Sequence, residues 1–276
     1  MTDNTRQMHT KVSCLEAILR SRGRLAVAFS SGVDSTFLLY TAHRVLGDNI
    51  LAVTAEAPIF PARERNAAAD FCKRLGIRQI TLPFQPLELP AFQKNPLDRC
   101  YHCKTALFRQ LMNAAAEAGF PTVVEGTNVD DLSDYRPGLR AIDELGILSP
   151  LKEAGLTKQE IRILSRESGL PTWDQPSFAC LASRFATGDP ITAERLAMVE
   201  EAESYLASLG LKQYRVRLHD SLARIETEPK EMQRLTDPEV REALIRRFRS
   251  LGFRYVALDL SGYRTGSMNE VKRNCK

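Results

Sequence analysis

The segment at residues 25–36 constrains the fold of this chain most strongly. An apolar run, Leu25-Ala26-Val27-Ala28-Phe29, has the composition of a buried strand and leads directly into Ser30-Ser31-Gly32-Val33-Asp34-Ser35-Thr36, where a helical pattern begins. In a strand, turn and helix of this kind, several backbone N–H groups and the positive end of the helix dipole point at one place. The hydroxyl groups of the turn add further donors. The segment therefore predicts a binding site for an anionic group, such as a phosphate, at the end of a buried strand.

The remainder of the first half alternates between strand and helix patterns. Apolar β-type runs lie near residues 51–55, 77–82 and 122–125, and segments with helical periodicity separate them. Further on, Thr157 and Glu160 have the spacing of a capping box, which predicts the start of another helix. Strands that alternate with helices favour a parallel sheet with helices on both faces and ligands at the carboxyl ends of the strands. The expected fold class is therefore α/β.

A second alternation of helix and strand patterns occupies the last third of the chain, with β-type runs near residues 213–218 and 255–260. This pattern predicts a smaller C-terminal α/β domain. We expect one domain at residues 1–150 and a second at residues 151–276, with the loop that carries Cys180 at their junction.

The composition is that of a folded globular protein. Of the 276 residues, 43% are hydrophobic and 26% are charged, and the formal net charge is only +4. This small excess does not separate a nucleic-acid partner from a phosphorylated small molecule. Residues 1–11 do not resemble a secretory signal, and no apolar run has the length of a transmembrane helix. We therefore expect a cytoplasmic location and no membrane partner.

Three of the six cysteines have a suggestive arrangement. Cys100 and Cys103 are separated by two residues at the start of a predicted helix, so both sulfur atoms can reach one metal centre. Cys180 lies in the long loop near the middle of the chain. Three cysteines without an obvious fourth indicate a 4Fe-4S cluster with one open iron, since a structural zinc site usually has four ligands. Zinc completed by His102 and unrelated thiols are the alternatives.

The run from Ser30 to Thr36 resembles the SGGxDS signature of PP-loop ATP pyrophosphatases, which hold ATP so that its α-phosphate is attacked and pyrophosphate leaves. It lacks the lysine that follows the last glycine of a P-loop. It departs from the signature at Ser31, where the family usually has glycine. If this position requires a positive φ, serine is disfavoured and the loop is slightly re-set. The resemblance implies an adenine nucleotide alpha hydrolase-like fold, a catalytic Asp34, and an ATP-binding set of Ser30, Ser31, Gly32, Asp34, Ser35, Thr36 and Asn128.

A wider set of motifs, which spans nearly the whole chain, is similar to the LarE family. That family makes the sulfur-containing precursor of the nickel-pincer nucleotide cofactor of lactate racemase. The motifs that carry the similarity are Ser30 to Thr36, Arg99-Cys100-Tyr101-His102-Cys103-Lys104, Gly126-Thr127-Asn128-Val129-Asp130-Asp131, Asp134-Tyr135-Arg136-Pro137-Gly138, Ser149-Pro150-Leu151, Pro176 to Arg184, Arg215-Val216-Arg217, Ala223-Arg224-Ile225-Glu226 and Gly262-Tyr263-Arg264-Thr265-Gly266-Ser267.

The resemblance implies a reaction. Family members activate a carboxylate of pyridinium-3,5-biscarboxylic acid mononucleotide as an acyl-adenylate and convert it to a thiocarboxylate, with the sulfur held at the position of Cys180. Members with one cysteine sacrifice its sulfur, whereas members with three resemble carriers of a 4Fe-4S cluster that binds an extra sulfide. This sequence has the three-cysteine pattern, Cys100, Cys103 and Cys180. The resemblance also implies sulfide or another sulfur donor as a partner, no nucleic acid, and a homo-oligomer, by analogy a hexamer.

Further candidates combine residue chemistry with the resemblance. Arg215 and Arg217 alternate along a predicted strand and so share one face, which suits a phosphate. The expected ligands of the substrate phosphate are Arg184, Arg215, Arg217 and Arg264. The expected oxygen ligands of Mg²⁺ are Asp130, Asp131 and Glu226.

Two other classes of protein remain open at this point. A PP-loop tRNA thiolase also combines a phosphate loop with cysteines, but it should carry an RNA-binding module or a basic stripe, and the sequence has neither. A non-catalytic nucleotide or metal sensor with a degenerate loop is the third hypothesis, suggested only by Ser31.

Overall fold

The fold is described from a computed structural model, which describes residues 3–133, 137–176, 179–264 and 268. Short 3-10 turns connect several of its helices and strands. In chain order the elements are α1 (Asp3–Arg22), β1 (Leu25–Ala28), α2 (Val33–Leu46), β2 (Ile50–Glu56), α3 (Ala62–Leu75), β3 (Gln79–Pro83), α4 (Pro90–Gln93), α5 (Arg99–Glu117), β4 (Thr122–Val124), α6 (Pro137–Glu144), α7 (Pro150–Glu153), α8 (Lys158–Glu167), α9 (Ala193–Ser208), β5 (Tyr214–His219), β6 (Leu222–Thr227), α10 (Pro229–Thr236), α11 (Pro238–Ser250) and β7 (Tyr255–Leu258).

Two compact units divide the chain. The first combines Met1–Gln85 with Asp98–Phe178, and the second combines Pro86–Leu97 with Ala179–Lys276. The functional division expected at residue 150 stays a prediction. None of the described helices combines the length and the apolar content that a membrane-crossing segment requires.

The first unit contains a parallel sheet with the strand order β3-β2-β1-β4. Its central strand β1 is buried on both faces, because side chains alternate along a strand. Leu25 and Val27 pack in a core with α1, α2, α3 and α8, whereas Ala26 packs in a second core with α5. The expected α/β fold, a parallel sheet covered by helices on both faces, is confirmed.

Local signals set several helix boundaries in this unit. Helix α8 begins with the predicted capping box, in which Thr157 Oγ1 accepts from the Glu160 N–H and the Glu160 carboxylate accepts from the Thr157 N–H. The same carboxylate binds Lys11 of α1, with Nζ–Oε distances of 2.7 and 2.9 Å. Helix α1 was not predicted from the sequence. Its first turns are polar, which weakens the apolar periodicity of the sequence, although one face of the helix is buried and includes Met8, Leu15 and Leu19.

The second unit contains a mixed sheet with the strand order β5-β6-β7, in which β5 and β6 are antiparallel and β6 and β7 are parallel. The predicted smaller C-terminal α/β domain is confirmed. Strand β6 was not predicted, since its polar Arg224 and Glu226 weaken the apolar signal of a strand. Asp220 adopts a φ of 51° in the tight turn between β5 and β6.

Candidate active site

The segment Ser30 to Thr36, here called the phosphate loop, has the predicted strand, turn and helix geometry. Strand β1 ends at Ala28 and α2 begins at Val33, and no side chain caps the N-terminus of α2. Ser30 Oγ lies 3.1 Å from Ser35 Oγ, which also donates to the Gly32 carbonyl at 3.3 Å. The first N–H groups of α2 thus face a turn that its serines hold in shape, an arrangement suited to an anion.

Ser31 adopts the conformation that the signature glycine would allow. Its φ is 55°, a left-handed value that costs a residue with a Cβ about 1–2 kcal/mol. The side chain is buried, and its hydroxyl donates to the Glu64 carbonyl of α3 at 2.8 Å. The hydrogen bond anchors the loop and offsets part of this cost. The departure from the signature therefore preserves a positive φ at this position.

The loop after β4 meets the phosphate loop at Gly126. A Cβ at this position would lie 3.0 Å from the Ser35 backbone nitrogen and 3.3 Å from Asp34 Cβ, closer than side chains normally approach. Only glycine allows this approach without a shift. In the sequence, Gly126 is only part of a longer motif, and its close approach to the phosphate loop follows from the packing.

Asp34 and Lys158 form an ion pair inside this site. Lys158 Nζ donates to Asp34 Oδ2, although the two side chains remain 25% and 21% exposed. Burial raises the pKa of Asp34 above its ordinary value, and the Lys158 ammonium limits the rise. Asp34 Oδ1 and Thr36 Oγ1 are buried and receive no hydrogen bond from the part of the chain that the structure describes. In the first turn of α2, Asp34 Oδ1 suits a bound cation, and the Thr36 hydroxyl can donate to a phosphate oxygen.

Asn128 organises the loop on the far side of Asp34. It is 2% exposed, its Oδ1 accepts from the Asp130 N–H at 2.9 Å, and its N–H donates to Asp131 Oδ2 at 3.1 Å. Asp130 Oδ2 in turn accepts from the Lys158 N–H at 2.8 Å. Both acidic side chains thus support the loop, and a further role for either in Mg²⁺ binding stays a prediction.

A cavity of about 410 Å³ opens beside these groups at the carboxyl ends of β1 and β2. This volume lies in the range of small-ligand sites. Part of its lining is the phosphate loop, and another part is apolar. The apolar lining consists of Ala28, Phe29, Val53, Ala55, Phe60, Leu107, Phe108 and Leu111. The charged lining consists of Asp34, Glu64, Arg65, Lys104, Glu125 and Asp131.

Cys100 and Cys103 lie in the first two turns of α5, as predicted. Both are partly buried, and Arg99 Nη2 lies 3.9 Å from Cys100 Sγ. His102 Nε2 is 3.2 Å from Asp98 Oδ2. Two thiols three positions apart on a helix suit a shared metal. Within residues 3–133, 137–176, 179–264 and 268, however, no three His, Cys, Asp or Glu side chains form a ligand group. The cluster stays a prediction from the sequence.

In the second unit, Arg184 is fully buried and makes a dense set of contacts. Its Nε and Nη2 each donate to one carboxylate oxygen of Glu203 at 2.8 Å. Its Nη1 donates to the Ala179 carbonyl at 2.6 Å, the Cys180 carbonyl at 3.1 Å and Ser183 Oγ at 3.0 Å. Burial alone would raise the pKa of Glu203, but the Arg184 guanidinium holds it below its ordinary value.

Arg215 and Arg217 occupy alternate positions of β5. Arg215 is 2% exposed and stacks over Tyr263, with its guanidinium carbon 4.9 Å from the ring centre. Burial, together with the Arg184 charge, lowers the pKa of Arg215 to about 10. Arg217 donates to Glu226 at 2.8 Å and to the Ser183 carbonyl at 2.9 Å.

Two further predicted residues of this unit are Glu226, which lies in β6, and Arg264, which follows β7. Glu226, predicted as a Mg²⁺ ligand, is fully buried and also pairs with Arg224 at 2.9 Å. Arg264 is exposed. The phosphate and Mg²⁺ roles of these residues stay predictions.

Two functional candidates were missed from the sequence, although each left a signal. Lys158 is the first residue of α8, where a cation opposes the helix dipole. Glu203 lies four residues after Val199 and three before Leu206, on the apolar stripe of α9. A charge at an unfavourable position in each case indicates a specific partner.

Comparisons with known proteins test the resemblance. No protein-family profile matches the chain. An uncharacterized protein of Synechocystis sp. is 40% identical over 96% of this chain and 98% of its own length. A glutamine-hydrolyzing GMP synthase of Aeropyrum pernix is 28% identical over 65% of this chain and 38% of its own length. The pyridinium-3,5-bisthiocarboxylic acid mononucleotide synthase of Lactiplantibacillus plantarum is 39% identical over 95% of each chain.

Parts of three motifs used in the sequence analysis, at residues 134–136, 177–178 and 265–267, lie outside the described residues. The motifs that the structure describes in full include the phosphate loop. With an identity of 39% over nearly the full length of both proteins, the chain belongs to the LarE family.

Proposed function

We propose that this chain is an ATP-dependent sulfurtransferase that forms pyridinium-3,5-bisthiocarboxylic acid mononucleotide from the biscarboxylic acid mononucleotide. The observation that carries the proposal is the near full-length similarity to the synthase of that name, in a chain with a phosphate loop beside a cavity of about 410 Å³. The more distant similarity to GMP synthase supports ATP use by the same N-terminal fold.

ATP would lie across the cavity. The N–H groups of the loop and the hydroxyl groups of Ser30 and Ser35 suit its phosphates, and the apolar part of the lining suits its base. Asp34 and Asp131, which both line the cavity, are oxygen ligands of the type that Mg²⁺ takes. When bound, Mg²⁺ neutralises charge on the phosphates and on the departing pyrophosphate.

The chemistry has two displacements. A substrate carboxylate oxygen attacks the α-phosphorus of ATP, the bond to the β-phosphate oxygen breaks, and pyrophosphate leaves. A sulfur nucleophile then attacks the carbonyl carbon of the acyl-adenylate, and AMP leaves with the former carboxylate oxygen. Each round exchanges one oxygen for one sulfur and gives one thiocarboxylate, so two rounds, one at each carboxylate, consume two ATP and form the bisthiocarboxylic product. Activation is needed because a carboxylate is a poor electrophile, whereas AMP is a good leaving group.

The sulfur would be held at Cys180, by one of two routes. In the favoured route, Cys100, Cys103 and Cys180 ligate a 4Fe-4S cluster, which when bound supplies a site for an extra sulfide. In the alternative route, Cys180 gives up its own sulfur and becomes dehydroalanine. The cluster route is favoured because the alternative has no use for Cys100 and Cys103.

The mononucleotide phosphate would be bound by arginines of the second unit. Arg215, Arg217 and Arg264 are the candidates, because the first two share one face of β5 and guanidinium groups bind phosphate in pairs. Arg184 was predicted for the same role. Its contacts with Glu203 and with the Cys180 carbonyl favour a positioning role instead.

The proposed function is tested with anaerobically purified protein, ATP, Mg²⁺, the biscarboxylic acid mononucleotide and sulfide. Equal amounts of AMP and pyrophosphate, and a product whose mass shows an exchange of oxygen for sulfur, are expected. Asp34→Asn should abolish all three products, whereas Asp48→Asn, at an exposed position, should leave them unchanged. Absence of AMP from wild-type protein, or thiolation of tRNA in its place, would contradict the proposal.

Iron and sulfide analysis distinguishes the two sulfur routes. In the cluster route, replacement of Cys100, Cys103 or Cys180 each removes the iron-sulfur absorption, and the wild-type mass is constant over several turnovers. In the sacrificial route, the Cys100→Ala, Cys103→Ala double variant keeps full activity, and the spent wild-type chain loses the mass of hydrogen sulfide. Light scattering of the same sample tests the expected homo-oligomer.

A further inference from the structure

The Cys180 segment is fixed by a charged pair buried in the second unit. Glu203 is 2% exposed and Arg184 is 0% exposed. The Glu203 carboxylate is itself held by β5, because its Oε1 accepts from the Val216 N–H at 2.9 Å. A continuous set of hydrogen bonds therefore leads from the sheet through Glu203 and Arg184 to the backbone of Ala179 and Cys180.

Stability alone does not account for this pair. Two charges removed from water lose several kcal/mol of hydration each, and replacing a buried ion pair by well-packed apolar side chains is often neutral or stabilising. An apolar pair, however, has no donor for a carbonyl group. What the guanidinium adds is a rigid fork whose third nitrogen binds the Ala179 carbonyl at 2.6 Å and the Cys180 carbonyl at 3.1 Å.

We propose that Arg184 and Glu203 form a positioning pair that sets the backbone of Cys180 and thereby the direction of its sulfur. In the favoured route this sulfur is a ligand of the cluster, and in the alternative route it attacks the activated substrate. The proposal deepens the proposed function and rests on it for the chemistry. Reacting atoms must lie about 3–3.5 Å apart and aligned, and a displacement of 1 Å can reduce a rate by about 100-fold. Cys180 lies immediately before the 3-10 turn Leu181–Arg184, and the Arg184 guanidinium extends the support to the Ala179 carbonyl on its N-terminal side.

Replacement of Arg184 should change the kinetics differently if it is a positioning residue than if it binds the substrate. Arg184→Lys keeps the charge but loses the fork, so thiocarboxylate formation should fall about 10-fold to 100-fold. AMP formation and the KM values for ATP and the mononucleotide should change less than threefold. A direct ligand of the substrate phosphate would instead raise the KM for the mononucleotide.

A second readout does not depend on the reaction. In the reduced, metal-free, full-length chain, the alkylation rate of Cys180 by iodoacetamide is measured by peptide mass spectrometry, with Cys100 and Cys103 as internal references. The Arg184→Met, Glu203→Leu double variant should retain the melting temperature within a few degrees and change the Cys180 rate at least fivefold, with the reference rates constant. Glu201→Gln, which removes an exposed ion pair with Arg247 from the same helix, is the matched control and should change nothing.

The outcomes decide separately between this proposal and the proposed function. A folded double variant with an unchanged Cys180 rate overturns the positioning pair. If the double variant does not fold, Glu203→Gln decides, since it preserves the side-chain volume and should still change the Cys180 rate at least threefold. An unchanged rate there also overturns the proposal. If wild type forms no thiocarboxylate, the proposed function is refuted. If the alkylation rate of Cys180 nevertheless changes in the double variant, the positioning of Cys180 by the pair still stands.

Discussion

Lys158 Nζ donates a hydrogen bond to Asp34 Oδ2, so the first residue of α8 and the phosphate loop meet across 124 residues of sequence. The contact brings a lysine to a loop that lacks the lysine of a P-loop. It also sets the charge of Asp34, because burial raises the pKa of this carboxyl group and the ammonium limits the rise.

Asp34→Asn should stabilise the free protein while abolishing AMP formation. Since the folded-state pKa of Asp34 is raised, ionisation opposes folding above that pKa, and the effect vanishes below the unfolded value of about 3.9. The variant should therefore melt at a higher temperature than wild type at pH 7, and lose this advantage as the pH falls toward 4. Calorimetry across pH, with Asp48→Asn as control, measures it. A lower melting temperature at pH 7 would show that the Lys158 pair outweighs burial.

Lys158→Met should shift the pH dependence of AMP formation. The variant removes the cation that lowers the Asp34 pKa, so the ionised form should be lost at a higher pH than in wild type. We expect the acidic limb of the rate profile to move upward and the maximal rate to fall about 10-fold to 100-fold. Lys152→Met, which breaks only a 3.8 Å contact with exposed Asp143, is the control. An unchanged acidic limb would mean that ionisation of Asp34 does not control the rate of AMP formation.

Substitutions of Ser31 should separate backbone strain from hydrogen bonding. Ser31→Ala keeps the positive φ and loses the bond to the Glu64 carbonyl, whereas Ser31→Gly loses the bond but relieves the strain. Urea unfolding should therefore rank the alanine variant about 1 kcal/mol below the glycine variant. Equal stability of the two variants would mean that the left-handed conformation carries no cost here.

The Lys11–Glu160 pair should contribute to stability above pH 4. Glu160→Gln keeps an acceptor for the Thr157 N–H but removes the charge that binds Lys11 of α1, and we expect a loss of about 0.5–1 kcal/mol at pH 7. Burial alone would raise the Glu160 pKa, but the Lys11 and Thr157 hydrogen bonds lower it overall. A carboxyl group whose pKa is lower in the folded state stabilises the folded chain at pH values above its unfolded-state pKa of about 4.3. This contribution is lost as the pH falls through the folded-state pKa. Equal stability of variant and wild type at pH 7 would contradict the prediction.

Arg215→Met should weaken binding of the mononucleotide far more than binding of ATP. The expected loss is at least 10-fold for the mononucleotide and less than twofold for ATP, because the proposed partner of the guanidinium is the substrate phosphate. Arg246→Ala, which alters an exposed pair with Glu242, is the control. Isothermal titration with each ligand provides the measurement, and equal losses for both ligands would reject the assignment.

Local features of this fold were predictable and distant contacts were not. The capping box at Thr157 and the strand, turn and helix around Gly32 depend on neighbours within a few residues, so their sequence signals are direct. Strand β6 lacked such a signal, since it carries the polar residues Arg224 and Glu226, and the Arg217 partner of Glu226 lies on β5. The pairing of Arg184 with Glu203 was not predictable from the sequence, because no local pattern links the two residues.

The membership of Pro86–Leu97 in the second unit has a consequence for synthesis on the ribosome. Asn95 Nδ2 donates to the Ala186 carbonyl at 2.6 Å, a partner translated 91 residues later. At roughly 5–20 residues per second, the nascent segment waits about 5–20 s for that partner. During this interval Asn95 lacks this partner, and the second unit to which the segment belongs is incomplete. A gene cut after codon 178 would likewise deliver a second unit without the segment that completes its core.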